Sequence, residues 1–406
     1  MEVLARRDVG AWWICGGHQP DHSTIGKFIQ LHAEILTEQF FVALVKTLSI
    51  KLHLGPGTVA GDGTVIEAAA SNYRLLRAEA VMEAAREAQV AAEAEPKDRQ
   101  LARKAQAAEQ AAALVKKRMR QRRWRSPEAT ELSLSEPEAV LQPRKDGVWR
   151  PAYKSIAVVH EAGLIFGQHV EPSNERAAVE PMLKQHEAAL GALPVTMLLD
   201  AGFAGIPIFQ LTAEAGIDLL CPAGRANGDD DWQRERRDRG FPKQAFRYVP
   251  ERDIYECPAG RELVFSYWGS SQGRRYARYE GSRCNQCPLR EQCTSSSRGR
   301  GLNHYVGEEL KQLMAEVLRQ PAARAKYRRR AVIIEPLFAE LRERQGLKRF
   351  HRRGLRAVRA EFALHCIAFN LKKAAGGPLA IIFLLRFRSP GQSWRLLGAI
   401  CASALT

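Results

Sequence analysis

The chain opens on apolar residues at helical spacing and then changes period. Phe28, Ile29, Leu31, Ile35 and Leu36 recur at the three- and four-residue intervals of one helix face, and residues 1–55 as a whole read as helices. Asp21, His22 and Ser23 stand side by side just before that stripe. Sequence neighbours cannot take up triad geometry, so Asp21 or Ser23 is expected to cap the helix. The next stretch, Val59-Ala60-Gly61-Asp62-Gly63-Thr64-Val65-Ile66-Glu67-Ala68, is rich in β-branched residues and holds an Asp between two glycines. Asp-Gly alone signals a turn. Here the apolar residues continue on both sides, which predicts a strand with Asp62 on one face.

From Asn72 to about Arg125 the chain is rich in Ala, Glu, Lys and Arg and is broken at Pro96, the pattern of a helical hairpin. Its large apolar residues are sparse, so it is expected to project from the body. Ser155–Val159 and Leu164–Gly167 read as a β-hairpin turning through His160–Gly163, with His160 a surface residue. A helix from about Glu175 to Leu190 then leads into Val195–Leu199, a strand that Asp200 terminates. This is an α/β order, and open α/β sheets place their sites at the C-terminal ends of strands. A helix is expected from Glu308 to Arg319, with a break at Pro321. Glu335 follows the basic run Lys326 to Arg330. Pro336 disfavours α conformation in Glu335 and suits a first helical position, so a helix should start or kink there. Its stripe is Ile334, Leu337, Phe338 and Leu341, and Glu335 and Arg342, seven apart, share a face. Between Lys348 and Arg359, Arg349, Arg352, Arg353 and Arg356 oppose Phe350, Leu355, Val358 and Phe362, which predicts an amphipathic helix with a phosphate-seeking face.

Composition sharpens this picture. In 406 residues there is room for two or three domains, and 61 basic against 45 acidic residues leave a net charge of +16, which favours a polyanionic partner. The end of the helical hairpin, with Lys116, Lys117, Arg122, Arg123 and Arg125, has no acidic counterparts and reads as a phosphate-contacting patch. Asp229-Asp230-Asp231 reads as solvated. Eight cysteines in a chain this long do not make a disulfide scaffold. Cys257, Cys284, Cys287 and Cys293 fit a structural zinc site of four thiolates, although the first ligand is a lone Cys. Four reduced thiols are the other reading. Cys15, Cys221, Cys366 and Cys401 read as small buried residues. No secretion signal opens the chain, and its most apolar stretch, Pro378–Leu385, is too short to span a bilayer. A cytoplasmic, nucleoid-associated protein with no membrane partner is expected.

Three acids stand out: Asp62, Asp200 and Glu335, each beside apolar structure and far apart in sequence. Singly they have plainer readings, as a turn residue, a helix cap and an N-terminal helix acid. Together they are what a two-metal phosphoryl-transfer site requires, since Mg²⁺ keeps several waters and takes few protein oxygens.

At these residues the chain resembles the insertion-sequence DDE transposases, within the ribonuclease H-like superfamily that includes retroviral integrases. The matching stretches are Pro20-Asp21-His22-Ser23-Thr24-Ile25, Asp62-Gly63-Thr64-Val65-Ile66-Glu67-Ala68, Asp200-Ala201-Gly202-Phe203, Cys284-x-x-Cys287-Pro288-Leu289-Arg290-x-x-Cys293-Thr294, and Glu335-Pro336-Leu337-Phe338 on through Arg353-Gly354-Leu355, Glu361 and Asn370-Leu371-Lys372-Lys373. They lie in order across roughly residues 10 to 373. The resemblance implies a ribonuclease H-like mixed sheet flanked by helices. It implies five regions. An N-terminal helical DNA-binding region, 1–55, reads as truncated upstream. The first part of the catalytic core, 56–225, carries a helical insert at about 73–125. A cysteine-bearing insertion follows at 226–310, then the Glu helix and basic helix at 311–375 and an atypical tail at 376–406. It further implies cleavage and strand transfer of the element's own ends with two Mg²⁺ or Mn²⁺ ions, held by Asp62, Asp200 and Glu335. Double-stranded DNA, as terminal inverted repeats and target, is the implied partner, and a homodimer the implied synaptic form. In the family's Tyr-Arg-Glu-Lys pattern, Arg342 stands at the Lys and Ala331 at the Arg, with Arg330 or Arg329 placed to compensate. The rival reading is a catalytically inactive, truncated remnant that only binds DNA. A zinc-stabilised RNA-binding module is the third, and the aromatic sheet motifs of common RNA binders are absent.

Overall fold

Helices precede the first strand, and two of them start on short polar caps. In the computed structural model, which describes residues 2–70, 75–121, 129–143, 147–222, 240–271, 274–281 and 283–376, they are α1 (Glu2–Arg7), α2 (Val9–Ile14), α3 (His22–Leu31) and α4 (Phe41–Leu52), with a wider π turn at Ile35–Phe40. Asp8 accepts the Ala11 N–H at 2.7 Å and Asp21 the Thr24 N–H at 2.6 Å, so Asp21 caps α3 as expected. Helix α4 buries Phe41, Leu44, Val45 and Leu48.

The chain divides into two units: one takes in residues up to Asp200, Thr212–Leu219 and the chain from Ala325; the other is Ala201–Leu211 with Leu220–Arg324. The elements of the first stretch are β1 (Thr58–Glu67), β2 (Leu75–Arg77), α5 (Ala78–Ala94), α6 (Arg99–Gln121), β3 (Glu131–Ser133), β4 (Val140–Pro143), β5 (Trp149–His160), β6 (Ile165–Glu171), α7 (Val179–Leu190) behind a 3-10 turn at Glu175–Ala178, β7 (Thr196–Leu198), α8 (Ile206–Glu214) and β8 (Asp218–Leu220). One sheet runs β4-β5-β1-β7-β8, with β6 also paired to β5. Strand β1 is antiparallel to β5, Asp62 facing Ala157, and parallel to β7. The expected mixed sheet flanked by helices is therefore present. Both glycines of β1 are needed where they stand. A Cβ on Gly61 would lie 2.5 Å from a Leu199 methyl, and one on Gly63 2.8 Å from Glu175 Oε1.

The helical hairpin is also present. Helices α5 and α6 pack Val81 against Ala111 and Val115, and Leu132 of β3 completes that small core. Arg118, inside the basic run, faces inward and donates to the carbonyls of Pro137, Glu138 and Ala139 at 2.9–3.1 Å. Lys116 and Lys117 are exposed. Arg122, Arg123, Arg125, Asp229–Asp231, Cys401 and Pro378–Leu385 lie outside the described residues. Two surface assignments change. His160 is buried at 4 % exposure, its ring and that of His186 each stacking near Phe166 with centroids 5.0 and 5.2 Å away. The reason is that the turn it precedes folds back onto the sheet: the His160 N–H donates to the Leu164 carbonyl and the ring accepts the Ala162 N–H. Cys15 is half-buried, whereas Cys221 and Cys366 are buried as expected.

In the second unit a five-stranded antiparallel sheet runs β13-β12-β11-β10-β9. Its strands are β9 (Arg247–Val249), β10 (Ile254–Glu256), β11 (Glu262–Ser271), β12 (Arg274–Gly281) and β13 (Gly301–Tyr305). The short helix α9 (Arg290–Cys293) precedes β13, and α10 (Glu308–Arg319), which matches the predicted span, follows it. Phe246, Tyr255, Leu263, Ala277, Tyr279 and Leu302 form the core, with Cys257 and Cys293 packed on it.

Two more helices follow, α11 (Pro321–Ala339) and α12 (Leu355–Gly376), with a π turn at Glu340–Arg344 after α11. Here the expected elements are corrected. No helix starts at Pro336, which lies inside α11; the break falls at Pro321 as expected, and that proline takes the first helical position. Ile334, Leu337 and Leu341 are buried as predicted. The amphipathic helix from Lys348 does not form, because α12 starts only at Leu355. Gly346 and Gly354 take left-handed φ values of 70° and 82°, and the Phe350 N–H pairs with the Glu67 carbonyl at 2.8 Å, which pins this segment of turns and bends beside β1. Buried Glu361 accepts the N–H groups of His351 and Arg352. Glu136 and Glu138 then accept those of Gly354 and Leu355 and so cap α12. No helix among the described residues is long and apolar enough to cross a membrane.

Candidate active site

Strand β1 carries Asp62 in the middle of the mixed sheet, and four groups act on it. Its Oδ1 accepts the Gly63 N–H at 2.8 Å, and its Oδ2 is 3.1 Å from the Arg330 guanidinium. Burial pushes the carboxyl above the usual carboxylate range; the Arg330 charge and the Gly63 hydrogen bond pull the other way, and the negative charges of Asp200 and Glu175 add to the upward push. Asp200, just past β7 on the neighbouring parallel strand, is thus an electrostatic neighbour of Asp62, as the sheet order requires.

Helix α11 supplies the other half. Arg330 reaches Asp62 from it, and Arg342, in the π turn that follows, donates to Thr64 Oγ and to the Val65 carbonyl, on the same strand. Asp62 and Thr64 share one face of β1. The helical stretch is thus anchored to a few residues of β1 by two arginines, with Ile334, Leu337 and Leu341 buried along it. Glu335 lies between those anchors and is exposed. Arg329, one residue before Arg330, is instead 2.5 Å from Glu161, which also accepts the Thr58 N–H at the start of β1. Of the two candidates to stand in for the arginine missing at Ala331, Arg330 is the one on Asp62.

Among the described residues, no three His, Cys, Asp or Glu side chains stand ready to hold a metal ion. Asp62 on β1 and Asp200 just past β7 bring carboxylate oxygens, the donor type that hard divalent ions take, and the Arg330 guanidinium holds one oxygen of Asp62. In the second unit Cys257, Cys284 and Cys287 lie on turns, and Cys293 ends α9. Arg261 donates to the carbonyls of Arg283 and Gln286, tying the Cys257 turn to the Cys284–Cys287 turn. Backbone N–H groups of Arg261 and Arg300 point at the sulfurs of Cys257 and Cys284, at 3.3 and 3.4 Å.

The basic segment predicted to contact DNA is partly occupied within the chain. Arg349 donates to the Ala68 and Ala70 carbonyls, Arg353 to that of Ala69 and Arg352 to that of Gly26. Arg356 pairs with Glu34 at 3.1 Å and Lys348 with Glu343 at 3.5 Å. Sequence reasoning missed Glu175 and its partner Lys154, which form an ion pair beside Gly63. An acid opening a helix reads as a dipole partner, and only the glycine opposite it hints that something must fit there.

Comparison with known proteins bears on the same elements. No curated protein and no solved structure matches the chain. Residues 256–375, which include Arg330, Glu335, Arg342 and the four cysteines Cys257, Cys284, Cys287 and Cys293, match the family described as a transposase DDE domain. That match supports what the motifs pointed to, an insertion-sequence DDE transposase.

Proposed function

We propose that this chain is a DNA transposase that cleaves the ends of its insertion sequence and transfers them to target DNA, with Asp62, Asp200 and Glu335 as the acids of the site. What supports the reading is the parallel pairing of β1 with β7, Ala60 opposite Leu198, which brings Asp62 level with Asp200 just past β7, together with Arg330 of α11 on Asp62 and Arg342 of the following π turn on Thr64. A DDE family member is, in general, a DNA-cleaving phosphoryl transferase. Two Mg²⁺ or Mn²⁺ ions, when bound, would supply activation of a water or 3′-hydroxyl and stabilisation of the leaving oxygen. The protein's part is positional. Asp62 and Asp200 hold their carboxylates at the sheet, and Glu335, exposed on α11, would complete the set once metal is bound. Arg330 and Arg342 present cationic charge to the scissile phosphate, which offsets the charge that develops in the transition state. Lys116, Lys117, Arg122, Arg123 and Arg125, with Lys348, Arg349, Arg352, Arg353 and Arg356, track the duplex backbone. A homodimer would bring two ends together.

Purified protein with Mg²⁺ or Mn²⁺ and a labelled terminal inverted repeat tests this. Nicking that disappears in Asp62→Ala, Asp200→Ala and Glu335→Ala supports the transposase. Binding without nicking favours the remnant that only holds DNA. For the second unit, we propose that Cys257, Cys284, Cys287 and Cys293 bind one structural zinc, on the strength of their tied turns and the N–H groups aimed at two sulfurs. About one equivalent of zinc by elemental analysis, lost in Cys287→Ser, is the expected result; none in the wild-type protein sinks it.

A further inference from the structure

We infer that the ion pair of half-buried Lys154 with buried Glu175, packed behind the Asp62 strand, sets the charge at the candidate metal site and tunes its affinity for divalent cations; this rests on the function proposed above. Glu175 is 8 % exposed and its Oε1 is ion-paired to Lys154 on β5. The carboxylate presses on Gly63, where a Cβ would sit 2.8 Å from Oε1 and 3.2 Å from Cγ. Successive strand residues face opposite ways, so Glu175 lies across the thickness of β1 from the Asp62 side chain. It is therefore a positioning residue, without a place among the candidate ligands. Its charge is nonetheless felt at Asp62, because only one strand of low-dielectric backbone separates them. Alone, Glu175 would draw cations to the far face of the strand, and Lys154 offsets that field. The balance between the two fixes how strongly the acids attract a metal ion, and the burial of Glu175 reduces its screening by salt.

Mn²⁺ binding to the full-length chain without DNA, followed by calorimetry or by loss of the free-ion paramagnetic resonance signal, separates this from a packing role. Removing the negative partner exposes Lys154, so Glu175→Gln should weaken Mn²⁺ binding by about fivefold. The double variant Lys154→Gln/Glu175→Gln removes both charges and should return to within about twofold of wild type. A double variant as weak as Glu175→Gln, or a Glu175→Gln protein that binds as wild type does, overturns the inference. Should Glu175→Gln fail to fold, Lys154→Gln alone carries the test: tighter binding supports the inference, and equal or weaker binding overturns it. Asp62→Asn is the control. Mn²⁺ binding that survives it overturns the metal-site reading and the inference together, whereas Asp62-dependent binding with no rescue overturns the inference alone.

Discussion

Strands β1 and β11 are each ten residues long, yet they are built on opposite terms. Most of β1 is buried, its neighbours lie on both edges, and its two glycines make room for Leu199 and Glu175. Along β11, Val264, Phe265, Tyr267 and Trp268 are all exposed, a bulge falls between Phe265 and Tyr267, and Arg275 sits over the Trp268 ring at 5.2 Å. A charge placed in β1 is governed by what surrounds it, while side chains on β11 answer mainly to solvent. Substitutions should therefore be costly around β1 and cheap on β11.

The sharpest break of that contrast is Asp62→Asn. It keeps the shape of the strand, so the melting temperature should hold, while cleavage of a terminal repeat falls about 10³-fold in a gel assay. Retained cleavage would remove Asp62 from the site. Next in size is acid sensitivity near the start of β1. Burial pulls the His186 imidazole down to about 4 from 6.5, against the opposing hydrogen bond to the Ala192 carbonyl. Its folded pKa lies below its unfolded one, so the unfolded chain binds the extra proton. The stability it allows is full above pH 6.5 and drains away as the pH falls toward 4, by about 3 kcal/mol in all. Urea unfolding across that window should show the slope, and His186→Phe should flatten it. Gly63→Ala follows, with a cost of about 2 kcal/mol because the new methyl meets the Glu175 carboxylate. Smallest is Trp268→Ala, which loses an exposed cation–π contact and should cost about 0.5 kcal/mol by thermal melting. A larger loss there than at Gly63 would invert the comparison.

What could be read from the residues divides along the same line. Local signals were legible: the Asp21 cap, the hairpin broken at Pro96, the β5–β6 turn and the helix at Glu308–Arg319 all follow from neighbours in sequence. Asp62 on a strand was legible because its apolar flanks outweigh its glycines. What failed depended on distant partners. The arginines from Arg349 to Arg356 have helical spacing, but Gly354 and the carbonyls of Ala68, Ala69 and Ala70 keep Arg349 and Arg353 out of the helix, which begins at Leu355. His160 looked like a turn residue because nothing nearby in sequence announces Phe166 and His186. Glu175 was invisible for the same reason: its meaning comes from Gly63, more than a hundred positions upstream.

The caps on α12 carry a consequence for how the molecule is made. Glu136 and Glu138 wait for N–H groups 218 and 217 positions further along, so a ribosome exposes them long before their partners emerge. Until α12 leaves the exit tunnel, the segment between β3 and β4 carries uncovered acids.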